Sequence, residues 1–183
     1  MKRLQSQFLL PRVIQPVAAL FALLSWGGAE SLPKEYQVKA AFIYNFTQFA
    51  EWPAEAFASA EAEFVIVVAG TDPFEGALDK AMSGKSVGSH PVTVKHVGSA
   101  NEITTCHLLY IGASQESWMS TLVAGGKPTL YVGESDSFLE SGGTIRFFMA
   151  ENKLRFEVNL DAVEKARLKI SSKLLKLAQI HKK

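Results

Sequence analysis

Between residues 32 and 50 apolar side chains recur every three or four positions. Val38, Phe42, Phe46 and Phe49 make one stripe, and Tyr36, Ala40 and Ile43 make a second beside it. The spacing predicts a helix, with Pro33 suited to its first turn, Glu35 to its positive end, and no breaker before Pro53. Only Lys39, Asn45, Thr47 and Gln48 are clearly polar from residue 38 to 50, so this helix is either deeply buried or meets another chain. Residues 63–69, EFVIVVA, are a mostly β-branched run, the pattern of a strand covered on both faces. Gly70-Thr71-Asp72-Pro73 ends it, with Asp72 predicted as cap and Pro73 as first residue of a helix over 73–82. Strands follow at 91–97, 107–111 and 129–132. A short helix or turn near 101–105 precedes the second of these, and a helix over 114–124, stopped by Gly125-Gly126, precedes the third. Strand and helix alternate with short connections, which predicts a parallel sheet with helices on its faces.

After Gly133 the pattern changes. A short helical or irregular piece at 136–140 and a Gly142-Gly143 turn lead into two apolar runs, 144–150 and 153–158, joined by Glu151-Asn152. So short a connection predicts an antiparallel hairpin. Asp161 is expected to cap a helical segment, and Ser171 or Ser172 a last helix ending near Gln179. Ile170, Leu174, Leu177 and Ala178 would share one face of that region, and Lys169, Lys173 and Lys176 another. The expected class is α/β: a mainly parallel sheet flanked by helices, with a C-terminal antiparallel hairpin and closing helices, in a single domain over 30–183.

The first 29 residues read differently. Lys2, Arg3 and Arg12 precede any acid, and residues 17–24, VAALFALL, are apolar without interruption. That run is short of the roughly 20 residues needed to span a bilayer. Gly27-Gly28-Ala29 then offers small residues to a signal peptidase, so 1–29 is expected to be a signal peptide cleaved after Ala29. The mature chain of 154 residues would carry 16 basic and 18 acidic side chains, long enough to bury a core and far from a basic nucleic-acid binder. Nothing after Ala29 resembles a second span. A soluble exported protein is expected, periplasmic in a bacterium with two membranes.

Chemistry-bearing motifs are sparse. One cysteine excludes an intramolecular disulfide and any zinc site of paired thiolates. Cys106 is either buried and inert or pairs with another molecule. Ser83-Gly84-Lys85-Ser86 holds the end of a phosphate loop, but the required first glycine is Asp79 and the fragment leads into a strand. Gly112-Ala113-Ser114-Gln115-Glu116 follows a strand as a nucleophile elbow does, with Glu116 where the second glycine belongs; Ser114 reads more simply as a helix cap. Cys106 and His107 would point to opposite faces of a strand, and His90 and His96 lie too far apart to share an ion. No catalytic group, metal or cofactor is expected.

Three stretches resemble one family. Residues 38–53, VKAAFIYNFTQFAEWP, resemble the opening of the YfiR family of exported bacterial regulators. Residues 106–111, CHLLYI, resemble its central strand. Residues 142–178, with GGTIRFF and LRFEVNLDAVEKARLKISSKLLKLA, resemble its closing hairpin and helices. The resemblance implies a compact, often dimeric α/β domain that acts by protein contact without catalysis. Characterised relatives hold a membrane-bound diguanylate cyclase in check through its periplasmic sensor domain, and their release raises cyclic di-GMP and biofilm matrix output. The implied partner is therefore the periplasmic domain of an inner-membrane diguanylate cyclase. In the last helical region Glu164 is the candidate rim residue and Ile170 the candidate apolar anchor. Phe42 and Phe46 are candidates for self-association, although their pattern favours ordinary core positions. Cys106 matches a family cysteine whose companions are missing here, which leaves an intermolecular bridge as its redox expectation. The competing readings are an exported small-ligand binder feeding a sensor kinase or transporter, with Gly70, Thr71 and Gly112 at strand ends, and a hydrolase using Ser114.

Overall fold

The helical spacing near the start produces α1 (Lys34–Phe49), which runs directly into β1 (Ala50–Glu51). The computed structural model describes residues 34–182, so the export signal expected over 1–29 lies outside the described residues. Beyond a 3₁₀ turn come β2 (Phe64–Ala69), α2 (Ala77–Met82), β3 (Ser86–Val87), β4 (His90–Val97), β5 (Leu108–Ile111), α3 (Met119–Ala124) and β6 (Leu130–Gly133). The hairpin β7 (Ile145–Ala150) and β8 (Lys153–Val158) is followed by α4 (Leu160–Lys165), β9 (Lys169–Ile170), α5 (Ser172–Leu175) and β10 (Gln179–Ile180).

Among the described residues eight strands form one sheet, ordered β10-β8-β7-β6-β5-β2-β4-β3, while β1 and β9 form a separate antiparallel pair. Neighbours from β7 through β6, β5 and β2 to β4 are parallel, as are β8 and β10. The β7–β8 hairpin and the short β3–β4 pair are antiparallel. This is the mainly parallel α/β sheet with a C-terminal hairpin that the alternation predicts. Glu151 and Asn152 both take positive φ, 51° and 58°, as a tight two-residue hairpin turn requires.

All six β2 residues are buried, and the period of two divides them between the faces. Phe64, Ile66 and Val68 meet Ile43 and Phe46 of α1 and Leu78 of α2. Val65, Val67 and Ala69 meet Met119 of α3 with Phe138 and Leu139. On the first face the Phe46 ring lies 5.5 Å from Phe147 of β7 and 5.1 Å from Phe156 of β8, and Phe42 sits 5.6 Å from Phe156. Each such ring pair adds about 0.5–1.5 kcal/mol beyond the area it buries.

Several helices differ from their expected extent. Asp72 does not start a helix. Its carboxylate accepts the N–H groups of Phe74 at 2.8 Å and Gly76 at 3.3 Å, closing a turn in which Glu75 and Gly76 have φ of 47° and 83°. Left-handed residues cannot continue a helix, so α2 waits until Ala77. The segment before α3 is 3₁₀ over Ala113–Trp118 with Gly112 at its cap, so Ser114 caps nothing. Asn159, not Asp161, caps α4 by accepting the Ala162 N–H. Nor is the closing region one long helix. Arg167, at φ 57°, ends α4 in a Schellman turn: its N–H reaches Glu164 O, and the Leu168 N–H reaches Val163 O. Lys169 and Ile170 then pair as β9 with Glu51 and Ala50, and the Ser171 N–H donates to Phe49 O at 2.8 Å. Backbone pairing with β1 overrides the helical spacing, and Ile170, Leu174 and Leu177 share no helical face.

The GGT turn before β7 has a steric cause. The Phe138 ring is wedged between two glycines, so a Cβ at Gly143 would stand 2.3 Å from one ring edge and one at Gly133 would stand 2.5 Å from the opposite edge. Gly143→Ala is expected to lower stability by about 1–3 kcal/mol. Gly98→Ala, whose nearest neighbour would be 3.7 Å away, should stay within about 0.5 kcal/mol. Urea unfolding of the two variants checks this.

Candidate functional site

The closing segment supplies the candidate partner surface. Glu164 is exposed on α4, and Ile170 is half-buried at the β1–β9 pair, packed on the edge of the main core. The Schellman turn sets the path between them, and Arg167 is tethered at 3.0 Å to Glu55 in the loop after β1. Around this path Lys165, Lys169, Lys173 and Lys176 are exposed, and Leu177 is 69% exposed. These lysines and Leu177 are exposed side chains along the closing segment, and Glu164 is an exposed acid among them.

Phe42 and Phe46 go to the aromatic cluster. Phe46 has no exposed surface, so it offers nothing to a second copy while this fold is intact; Phe42 is half-buried against Phe147 and Phe156. Cys106 is buried, and its S–H donates to Leu108 O at 3.1 Å. Burial pushes the thiol pKa far up, so the reactive thiolate is suppressed and an intermolecular bridge would require the thiol to be uncovered first.

His107, on the opposite face from Cys106, organises the loop between β1 and β2. Its Nδ1 accepts the Val65 N–H at 2.9 Å, which leaves Nε2 to donate to Ala56 O at 3.0 Å. The ring stacks on Phe57 at 4.6 Å, and Phe57 in turn stacks on His90 at 3.7 Å. Burial holds the His107 pKa below its ordinary value, keeping the neutral tautomer that this double bond requires.

An open parallel sheet presents its ligand crevice where the strand order reverses, here between β2 and β5. That position is filled from within. Gly70, at φ 78°, carries the Gln115 side-chain amide directly against its α-carbon, where a Cβ would lie 2.3 Å from Gln115 Cδ. Beside it the Glu116 carboxylate accepts the hydroxyls of Ser135, Ser137 and Ser141, and these bonds hold its pKa below the usual range, Ser135 contributing most. Ser114 is exposed, and the four histidines are engaged elsewhere, His90 with Ala62 O and His181 with Glu157. Neither the small-ligand crevice nor the hydrolase reading gains a geometry from this arrangement.

Sequence reading missed Lys39. Counted there as a polar interruption of α1, its side chain is 2% exposed and bonds Glu35 at 2.6 Å and Glu134 at 2.7 Å, with the ammonium 4.2 Å from the Tyr36 ring centroid. Tyr110 donates its hydroxyl to the same Glu134. Burial alone would lower the Lys39 pKa, and the two carboxylates more than offset it, leaving it raised. Burial, with Glu134 adding to it, raises Tyr110 strongly. The Glu35-to-Lys39 spacing of four was the available signal; the partner after β6 was invisible.

Residues 36–179 match a family model described as YfiR/HmsC-like. No curated protein matches the chain. Among the described residues no helix is long and apolar enough to cross a membrane.

Three outcomes follow from these environments. Lys39→Met should cost roughly 3 kcal/mol by urea unfolding, since it strands a partly buried carboxylate, and adding Glu134→Gln should recover part of that loss. Iodoacetamide should leave Cys106 unmodified in the native protein and label it fully in urea. The unfolded chain takes a proton at His107 before the folded one does, so the contribution of this site is complete above about pH 6.5. It drains away as the pH falls through that value toward the lower folded pKa. NMR of the imidazole nitrogens should show His107 titrating below 6.5 from the Nε2-protonated tautomer.

Proposed function

The chain belongs to the YfiR/HmsC-like family, and from that premise we propose that it represses an inner-membrane diguanylate cyclase by binding the enzyme's periplasmic sensor domain. The family match from α1 to β10 carries this reading, because membership implies a regulatory role of the YfiR kind and the family's regulators are generally not enzymes. The filled crevice at Gly70 and the serine-bound Glu116 support binding rather than turnover.

In this proposal export after cleavage at Ala29 delivers the protein to the periplasm. The α4–β9 face meets the sensor domain, Ile170 as apolar anchor and Glu164 at the rim, with the surrounding lysines steering an acidic partner. Repression requires that this face bind the inactive sensor conformation more tightly than the active one, because equal affinity for both would shift nothing. Self-association belongs to the same proposal and falls to the open side of α1, where Val38 is 37% exposed and Phe42 half-buried.

Deleting the gene should raise cellular cyclic di-GMP and matrix output. Unchanged levels would overturn the proposal. Glu164→Lys, on an exposed side chain, should keep its circular dichroism spectrum while losing at least tenfold in co-purification with the sensor domain.

A further inference from the structure

Three side chains from separate elements converge at the carboxyl ends of β2 and β4. Asp72 follows β2, Asp79 lies in the first turn of α2, and His96 is the penultimate residue of β4. The β2–β4 register pairs Val68 with His96, which brings the imidazole up beside the turn that Asp72 closes. One ligand atom from each residue lies within 4.8 Å of the other two. His96 Nε2 is 3.2 Å from both Asp79 oxygens, and Nδ1 is 3.9 Å from Asp72 Oδ2. We propose that Asp72, Asp79 and His96 form a binding site for a divalent transition-metal ion such as zinc.

The charge balance favours a cation. Among the described residues the ion pairs of both carboxylates run only to His96, which faces Asp79 with Nε2 and Asp72 with Nδ1, so a single imidazole stands between two negative groups. A divalent ion would neutralise both carboxylates and take the imidazole nitrogen as a third donor, an N/O set that suits zinc and its neighbours. The mechanics also fit. Asp72 is the fixed anchor, held by the Phe74 and Gly76 N–H groups, while Asp79 and His96 have side chains 45% and 38% exposed. Donors in a tetrahedral zinc site stand about 3.3 Å apart, given bonds of about 2.0–2.1 Å. Rotations of the two exposed side chains therefore close the ring, and solvent fills the remaining coordination. Spacing arguments limited to cysteine and histidine pass over this site because two of its members are aspartates, and only the β2–β4 pairing brings His96 to them. The site rests on none of the residues assigned to the partner surface, so it stands or falls separately from the repressor reading.

Calorimetric titration of the purified protein with zinc chloride in a non-chelating buffer is the test. One saturable site with micromolar affinity is expected. Asp79→Asn and His96→Ala should each weaken it at least tenfold, and His90→Ala should leave it unchanged. Thermal unfolding of each variant without metal confirms that the fold persists, since the substituted groups are partly exposed. Absence of saturable binding, or full binding by the Asp79→Asn/His96→Ala double variant, would overturn the assignment. The cobalt(II) derivative provides a second readout: visible absorption bands that vanish in His96→Ala are expected, and bands that persist there would also count against the site.

Discussion

Everything in this protein is arranged around the seating of one helix. α1 carries apolar side chains on most of its circumference, and a single helix in water cannot hide them. Its floor is the set of inward rings on β7 and β8, where Phe147 and Phe156 enclose Phe46. Its end is pinned by the β1–β9 pair, and its start by Lys39, whose ammonium is shared between Glu35 and Glu134. The two family-like stretches at the chain's extremes are thus halves of one contact. Their co-occurrence has a physical reason, because neither the helix nor the hairpin can bury its rings without the other.

Legibility in the sequence followed the range of the interactions. Strands with unbroken apolar runs, the Glu151-Asn152 turn and the parallel order of alternation are local or nearly local signals, and they correspond to the observed elements. Boundaries set by special backbone were hidden. Arg167 stops α4 from a left-handed conformation that glycine ordinarily marks, and nothing in its side chain announces this. Glu75 does the same before α2. Ile170 read as helical because its spacing to Leu174 is four, and only the distant Ala50 strand makes it extended. The candidate surface suffered accordingly: Glu164 and Ile170 were placed on one helical region and in fact lie on either side of a turn. Lys39 shows the converse failure, a charge whose partner sits 95 positions away beyond β6.

The chemistry points the same way as the fold. Where such sheets usually leave room for a ligand, Gln115 rests on Gly70, and the adjacent carboxylate is occupied by three hydroxyls. Polar groups that could have been mobilised for acid–base work are instead spent on fastening loops: His107 and His90 hold the segment after β1, and Arg146 bridges Asp136 to the buried Glu157. A framework tightened in this manner holds its loops and outer surface in fixed positions.

The pairing of Ala50 with Ile170 has a kinetic side. A chain that emerges N-terminus first exposes α1 long before its rings on β7 and β8, or the strand that pins its end, have been delivered. Closure over so long a loop is entropically expensive until the late segments arrive. The first third of the molecule is consequently barred from reaching its final packing while the rest is still in transit. Such postponement keeps the polypeptide pliable until its last strand has been delivered.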